Sequence, residues 1–277
     1  MRYYLGIDIG SLSCDAVLID GSGKVAASAV VPTGAKNREA IARVTDEVLL
    51  RAGIDRAVLR GVVSTGYGRD RVEGRLVAVT EITCHARGMR FLNPATRVLI
   101  DIGGQDSKCI SLSAEGAVVN FAMNDKCAAG TGRFLEAMAR ALGVDIDDLG
   151  SLDDGALGTH AISSMCSSMC TVFAESEVVS LIADGVPVNE IVLGLHRAIA
   201  ARTVSLLKRT IPDADGQALS MSGGVARNRG VVRAMAEALG RPIFVPELPD
   251  TVGALGAAII ARERCERAPA VPEASLA

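Results

Sequence analysis

The sequence predicts an α/β fold built from two similar halves, and three observations carry that prediction. Strand-like apolar runs alternate with amphipathic helical runs along most of the chain. The segment Asp8-Ile9-Gly10-Ser11, at the end of one strand-like run, recurs as Asp101-Ile102-Gly103-Gly104 at the end of another, and each is followed by a further strand. The 277 residues are 49% hydrophobic but only 3% aromatic, with no Trp. Val, Ile, Leu and Ala must therefore fill the core, which suits buried parallel strands flanked by closely packed helices.

Taken in order, Tyr3–Asp8, Ala16–Ile19 and Ala26–Val31 read as strands, with Asp20-Gly21-Ser22-Gly23 supplying a hairpin turn. Arg38–Ala52 reads as a helix and Gly61–Ser64 as the next strand. Val98–Asp101, Cys109–Leu112 and Ala117–Met123 follow as strands, with a turn at Ala114-Glu115-Gly116. Helical patterns cover Gly132–Leu142, Cys170–Ile182, Ile191–Arg209, Gly230–Leu239 and Gly253–Arg262, while Leu219–Ser222 and Ile243–Val245 read as strands. A chain of this length suits two lobes rather than two independent domains. The expected division is an N-terminal lobe over 1–96, completed by a C-terminal helix over 253–262, and a second lobe over 97–252. Two Pro and several small residues mark 263–277 as a flexible tail.

Composition narrows the function classes. The net charge of −3 comes from interspersed charges, so no basic footprint for nucleic acid is present. The N-terminus runs directly into a strand, which leaves no room for a signal peptide. The uncharged stretch Gly155 to Phe173 carries four Ser, two Thr and a His, too polar a set for lipid. A cytoplasmic protein without a membrane partner is expected, and its seven Cys argue for free thiols or metal ligation rather than disulfides.

The recurring Asp-x-Gly turns carry the first chemistry. Gly10 and Ser11 in one turn, and Gly103 and Gly104 in the other, let the backbone bend tightly and bring N–H groups against phosphate oxygens. Asp8 and Asp101 each offer a carboxylate to Mg²⁺, directly or through water. A single such turn is usually only a turn. Two at strand ends, with Ser222-Gly223-Gly224 after a third strand, form a more specific set, and no Gly-x-x-x-x-Gly-Lys-Ser/Thr occurs.

These pieces resemble the ATPase superfamily of actin, heat-shock chaperones and sugar kinases, with phosphate turns at Asp8–Ser11 and Asp101–Gln105 and an adenosine motif at Ser222–Asn228. The resemblance implies a two-lobed actin/hexokinase-like (ribonuclease H-like) ATPase fold with duplicated halves. Within the superfamily, Asn124-Asp125-Lys126-Cys127-Ala128-Ala129-Gly130-Thr131-Gly132-Arg133-Phe134 looks like the activators of 2-hydroxyacyl-CoA dehydratases, ATPases of the BadF/BadG/BcrA/BcrD type. So do Cys170-Thr171-Val172-Phe173-Ala174-Glu175-Ser176-Glu177, Ser64-Thr65-Gly66-Tyr67-Gly68-Arg69 and Gly253-Ala254-Leu255-Gly256-Ala257-Ala258. The resemblance runs from about Leu5 to Arg262. It implies ATP/ADP and Mg²⁺ binding and a homodimer that shares one [4Fe-4S] cluster. It further implies electron transfer from ferredoxin or flavodoxin to a 2-hydroxyacyl-CoA dehydratase. An ATPase subunit of a benzoyl-CoA reductase and a small-molecule kinase are the alternatives.

The residues make physical sense of the cluster. Cys127 and Cys170 each stand at or just before a predicted helix start, where unpaired N–H groups and the positive dipole end favour thiolate. Two thiolates per chain on a two-fold axis supply the four that a [4Fe-4S] cluster needs; ordinary buried Cys is the other reading of both. The chain departs from the family in Ser163-Ser164-Met165-Cys166-Ser167-Ser168-Met169-Cys170, a tandem copy of Ser-Ser-Met-Cys where relatives have one. Cys170 takes the family's ligand position, directly before the Thr-Val-Phe-Ala-Glu-Ser run, and Cys166 is either a substitute or a bystander. Relatives also carry a Thr-rich run and a Lys after the first turn. Here the chain reads Leu12-Ser13-Cys14-Asp15, which puts a direct phosphate contact from Asp15 in question.

Further candidates follow from position. Gly130, Thr131 and Gly132 either touch nucleotide or simply open a helix. Gln105 and Asp106 either position the attacking water or pack. Gly223, Gly224 and Asn228 belong to the adenosine motif. Cys84-His85 lacks a partner spacing for metal and is expected to pack, and Cys14, Cys109 and Cys265 are expected to be structural or incidental.

Overall fold

The computed structural model of the chain describes residues 2–158 and 171–267. Two compact units divide the described residues: one holds those up to Ile9, Ser13–Gly88 and those from Gly253 onward, the other Gly10–Leu12 and Met89–Val252.

The first unit is built on strands β1 (Tyr3–Ile9), β2 (Ser13–Asp20), β3 (Val25–Pro32), β4 (Leu59–Gly66) and β5 (Val77–Ala78), in the order β3-β2-β1-β4-β5. The first three form an antiparallel meander, and β4 joins β1 in parallel. Strand β1 is apolar on nearly every residue because helices cover both of its faces. Leu5, Ile7 and Ile9 point into a core with Ala40, Val44 and Val48 of helix α1 (Asn37–Ala52). Tyr4, on the opposite face, joins Cys84 of α2 (Glu81–Leu92) and Ala254, Ala257 and Ala258 of the C-terminal helix α8 (Val252–Arg267). Each large aliphatic side chain buried in this way contributes about 1.5–3 kcal/mol. The approach of α8 requires glycine: a Cβ on Gly256 would lie 1.8 Å from the Cys84 carbonyl oxygen, and one on Gly6 1.9 Å from that of Ala254.

The second unit repeats the plan. Strands β6 (Val98–Ile102), β7 (Ser107–Leu112) and β8 (Val118–Asn124) form the meander, and β9 (Leu219–Ser222) pairs with β6 in parallel, giving the order β8-β7-β6-β9. The matching orders β3-β2-β1-β4 and β8-β7-β6-β9 are the duplicated halves that the repeated Asp-x-Gly segments predict. One face of this sheet, including Val98, Ile100, Ile102, Cys109 and Met221, packs under α3 (Gly132–Leu142), α6 (Val188–Thr210) and α7 (Arg229–Leu239). Helix α5 (Thr171–Ala183) packs against α3. The short helix α4 (Leu149–Leu152) ends on Asp153, whose carboxylate receives Arg233 Nη2 at 2.6 Å and lies 2.9 Å from His196 Nδ1. Burial pushes His196 below its ordinary imidazole value. Burial works against the Asp153 carboxylate, but the hydrogen bonds from His196 and Arg233 outweigh it and hold Asp153 below its ordinary value.

One sequence expectation is corrected. Ile243–Val245 is not a ladder strand; it makes one parallel bridge, Ser220 to Phe244. Pro242 and Pro246 flank it and remove the N–H groups that a longer ladder would use. Helix α2, over which the sequence carries no prediction, forms although Gly88 sits inside it and Ile82 and Thr83 are β-branched. Packing of its buried Cys84 and Met89 supplies what propensity does not. Among the described residues, no helix is long and apolar enough to cross a membrane.

Candidate functional site

Asp8 and Asp101 occupy equivalent places, each the penultimate residue of the first strand of its unit. In the first unit Asp8 pairs across the ladders with Asp15 on β2 and Thr65 on β4. It is buried, and His85 Nε2 stands 3.5 Å from its Oδ2. Glycines wall it in. Gly66, at φ +83, holds a conformation that other residues avoid, and a Cβ there would meet Asp8 Oδ1 at 2.4 Å. A Cβ on Gly253 would meet Asp8 Oδ2 at 2.0 Å. These glycines belong to two of the quoted sequence motifs, and their absent side chains let backbone approach this carboxylate.

In the second unit Asp101 pairs with Lys108 on β7 and Ser222 on β9. Ser222 Oγ donates to Asp101 Oδ1 at 2.7 Å, and Lys108 Nζ donates to Asp101 Oδ2 at 3.1 Å and to Asp106 Oδ1 at 2.8 Å. Lys108 is 2% exposed. Asp106 is thus committed to a buried ion pair, and of the two residues after the turn Gln105 is the one that stays exposed. Gly223, at φ +85, stands to Asp101 as Gly66 stands to Asp8. The tip of the first turn, Gly10–Leu12, groups with this second unit: a Cβ on Gly104 would come within 2.8 Å of Ser11 Oγ.

The second turn is bonded to the start of α3. Gly132 N donates to the Gly103 carbonyl and Arg133 N to the Gly104 carbonyl, each at 2.9 Å, so the turn satisfies N–H groups that open the helix. Thr131 Oγ1 donates to Gly104 O at 3.0 Å and to Ala128 O at 2.7 Å. Cys127 lies at the head of that loop, half-buried, and Arg202 Nη2 of α6 donates to its Sγ at 3.4 Å. Cys166 and Cys170 lie outside the described residues, and Cys170 directly precedes the first residue of α5. Among the described residues, no group of three or more His, Cys, Asp or Glu is arranged to hold a metal ion.

Gly223 and Gly224 lead from β9 into a 3-10 turn (Gly224–Arg227), and Asn228 Oδ1 caps α7 by accepting from Val231 N at 2.9 Å. Burial pushes the Cys84 and Cys109 thiols up to about 12 and raises Cys14 as well, so these three are packing residues. Sequence reading missed Lys108 and Arg202 and took His85 as a packing residue only. Only the strand period hinted at Lys108, since a cross-strand partner cannot be named before the register is known.

Two meander sheets of matching order, each ending its first strand in an Asp-x-Gly turn, define the actin-like and sugar-kinase-like class of ATPase folds. A ROK family glucokinase from Streptomyces griseus, at 16% identity, shares that fold with a TM-score of 0.58 over 94% of this chain and 99% of its own. The chain belongs to the BadF/BadG/BcrA/BcrD ATPase family, which matches residues 5–261. It is 45% identical over 267 residues to the activator of lactoyl-CoA dehydratase from Anaerotignum propionicum, covering 96% of this chain and 99% of that one. The activator of the 2-hydroxyisocaproyl-CoA dehydratase from Clostridium difficile, solved with bound ADPNP, is 42% identical with a TM-score of 0.88 over 96% of both chains. A benzoyl-CoA reductase component from Thauera aromatica is 32% identical over 225 residues, 79% of this chain and 77% of that one.

Proposed function

We propose that this protein is an ATP-hydrolysing activator that works as a homodimer and carries one [4Fe-4S] cluster. In this reading it passes an electron from ferredoxin or flavodoxin to a 2-hydroxyacyl-CoA dehydratase. The relatives named as dehydratase activators support this reading over the benzoyl-CoA reductase alternative, because both their identity and their coverage are higher.

The observation that carries the reading is the bonding of the Gly103-Gly104 turn to Thr131, Gly132 and Arg133, immediately after the Cys127 loop. A phosphate turn and a cysteine loop that share hydrogen bonds give ATP and a redox site a contiguous physical link through which to couple. The N–H groups of Gly10, Ser11 and Gly104 line the phosphates, and that of Gly103 is held by the Asp106 carbonyl, which shapes the turn. Asp8 holds Mg²⁺ directly or through its waters. Asp101, whose two oxygens already accept from Ser222 and Lys108, acts through a water, and exposed Gln105 orients the attacking water. The segment from Gly223 to Asn228 holds the adenosine.

Cys127 with Cys170, or with Cys166 in its place, would hold the cluster, two thiolates from each chain. The half-buried Cys127 sulfur and the Arg202 guanidinium beside it suit an anionic group. When bound, the cluster supplies a one-electron carrier. A change in the phosphates at Gly103 and Gly104 moves the start of α3, and α3 packs against α5, which begins next to Cys170. Hydrolysis of Mg-ATP by the wild type and by Asp8→Ala and Asp101→Ala tests the nucleotide site. Both variants should lose activity, and full activity in both contradicts the assignment.

A further inference from the structure

The two halves of the fold differ in the sign of the charge at one equivalent position. On the ladder from β2 through β1 to β4 the row is Asp15, Asp8, Thr65; on the ladder from β7 through β6 to β9 it is Lys108, Asp101, Ser222. Side chains paired across neighbouring strands lie on one face at about 4.5–5.5 Å between Cβ atoms. The first half therefore sets two buried carboxylates side by side, and the second sets a carboxylate beside an ammonium. Adjacent buried carboxylates disfavour each other's charge, which a proton or a cation between them relieves.

Resting on the ATPase reading above, we infer that Lys108 is a built-in counter-ion and positioning residue of the second phosphate turn. It occupies the place where a monovalent cation would otherwise bridge Asp101 and Asp106. Its ammonium, at 3.1 Å from Asp101 Oδ2 and 2.8 Å from Asp106 Oδ1, has the spacing of a bound K⁺ or NH₄⁺ between carboxylate oxygens. Ser222 Oγ holds the other Asp101 oxygen at 2.7 Å, so both oxygens are fixed. Asp106 is anchored in turn through its backbone, whose carbonyl accepts from Gly103 N at 3.0 Å. The ammonium thereby ties the orientation of Asp101 to the backbone of the turn that receives phosphate. At 2% exposure Lys108 does not touch substrate; it acts through Asp101.

The test is steady-state ATP hydrolysis with and without K⁺, NH₄⁺ or methylammonium, with folding followed by circular dichroism. The wild type should be indifferent to these ions. Lys108→Ala should lower kcat about 10²-fold, the scale of a misplaced group, with little change in KM, and the added cations should restore much of the loss. Lys108→Met combined with Asp106→Asn keeps the net charge of the cluster and so its fold. That variant should be slow and should not respond to cations, because the second carboxylate of the cation site is gone. A wild-type rate in the double variant overturns the inference, as does a folded, slow Lys108→Ala that ignores every cation. If Lys108→Ala fails to fold, the double variant decides alone. An inactive wild type defeats the ATPase reading itself, whereas an active wild type with unaffected variants defeats only the role of Lys108.

Discussion

Thr131 Oγ1 donates a hydrogen bond to the carbonyl of Gly104 at 3.0 Å, which fastens the loop after Cys127 to the Gly103-Gly104 turn. The same hydroxyl reaches back to Ala128 O, so one buried side chain binds both ends of the connection. A nucleotide that moves Gly104 must move this loop.

Thr131→Val keeps the shape and removes the hydroxyl. The Gly104 and Ala128 carbonyls keep the backbone N–H groups of Arg133 and Thr131, so only the hydroxyl's bond is lost, at a cost of about 0.5–1.5 kcal/mol, read as a lower urea midpoint. With the cluster removed by a chelator, the wild type should show a nucleotide-dependent rate of Cys127 alkylation, followed by mass spectrometry, and the variant should lose that dependence while still binding ATP. An equal nucleotide effect in both proteins rules out Thr131 as the connection.

Gly253→Ala places a methyl 2.0 Å from Asp8 Oδ2 on the closed, glycine-lined side of that carboxylate. Asp8 must turn away or α8 must retreat. Hydrolysis should fall about 10²-fold in a protein whose circular dichroism is that of the wild type. Unchanged kcat would mean that the position of Asp8 is not critical.

The cluster of Asp153, His196 and Arg233 predicts acid sensitivity. His196 is held below its ordinary value of 6.5, so below that pH the unfolded chain takes up a proton that the folded chain refuses, and stability falls as pH drops. Asp153 is held below its ordinary 3.8 and adds a loss of the same sign from about pH 4 downward. The thermal midpoint should therefore decline between pH 7 and pH 5, and His196→Gln should flatten that decline. Parallel curves for the two proteins would remove His196 from the explanation.

Much of this arrangement is legible in the sequence because it repeats. Asp8-Ile9-Gly10 and Asp101-Ile102-Gly103 announce two equivalent strand ends, and the Cys127 to Phe134 segment announces a loop that opens a helix. The pairing of Lys108 with Asp101 is not legible, since it depends on the β6–β7 register, and neither is the approach of His85 to Asp8, which depends on how α2 packs. Gly66 and Gly253 stand out as motif glycines, but only the backbone path shows that both make room for one carboxylate.

The central claim, one cluster held by two chains, is tested most directly by measuring iron content and solution mass together after anaerobic purification. The wild type, Cys127→Ser, Cys170→Ser and Cys166→Ser are compared. The account predicts a brown wild-type dimer with one [4Fe-4S] cluster per two chains, loss of the cluster in Cys127→Ser and Cys170→Ser, and its retention in Cys166→Ser. Loss in Cys166→Ser with retention in Cys170→Ser would exchange one ligand for the other. A monomer with a full complement of cluster iron, or a Cys127→Ser protein that keeps its cluster, would contradict the shared site.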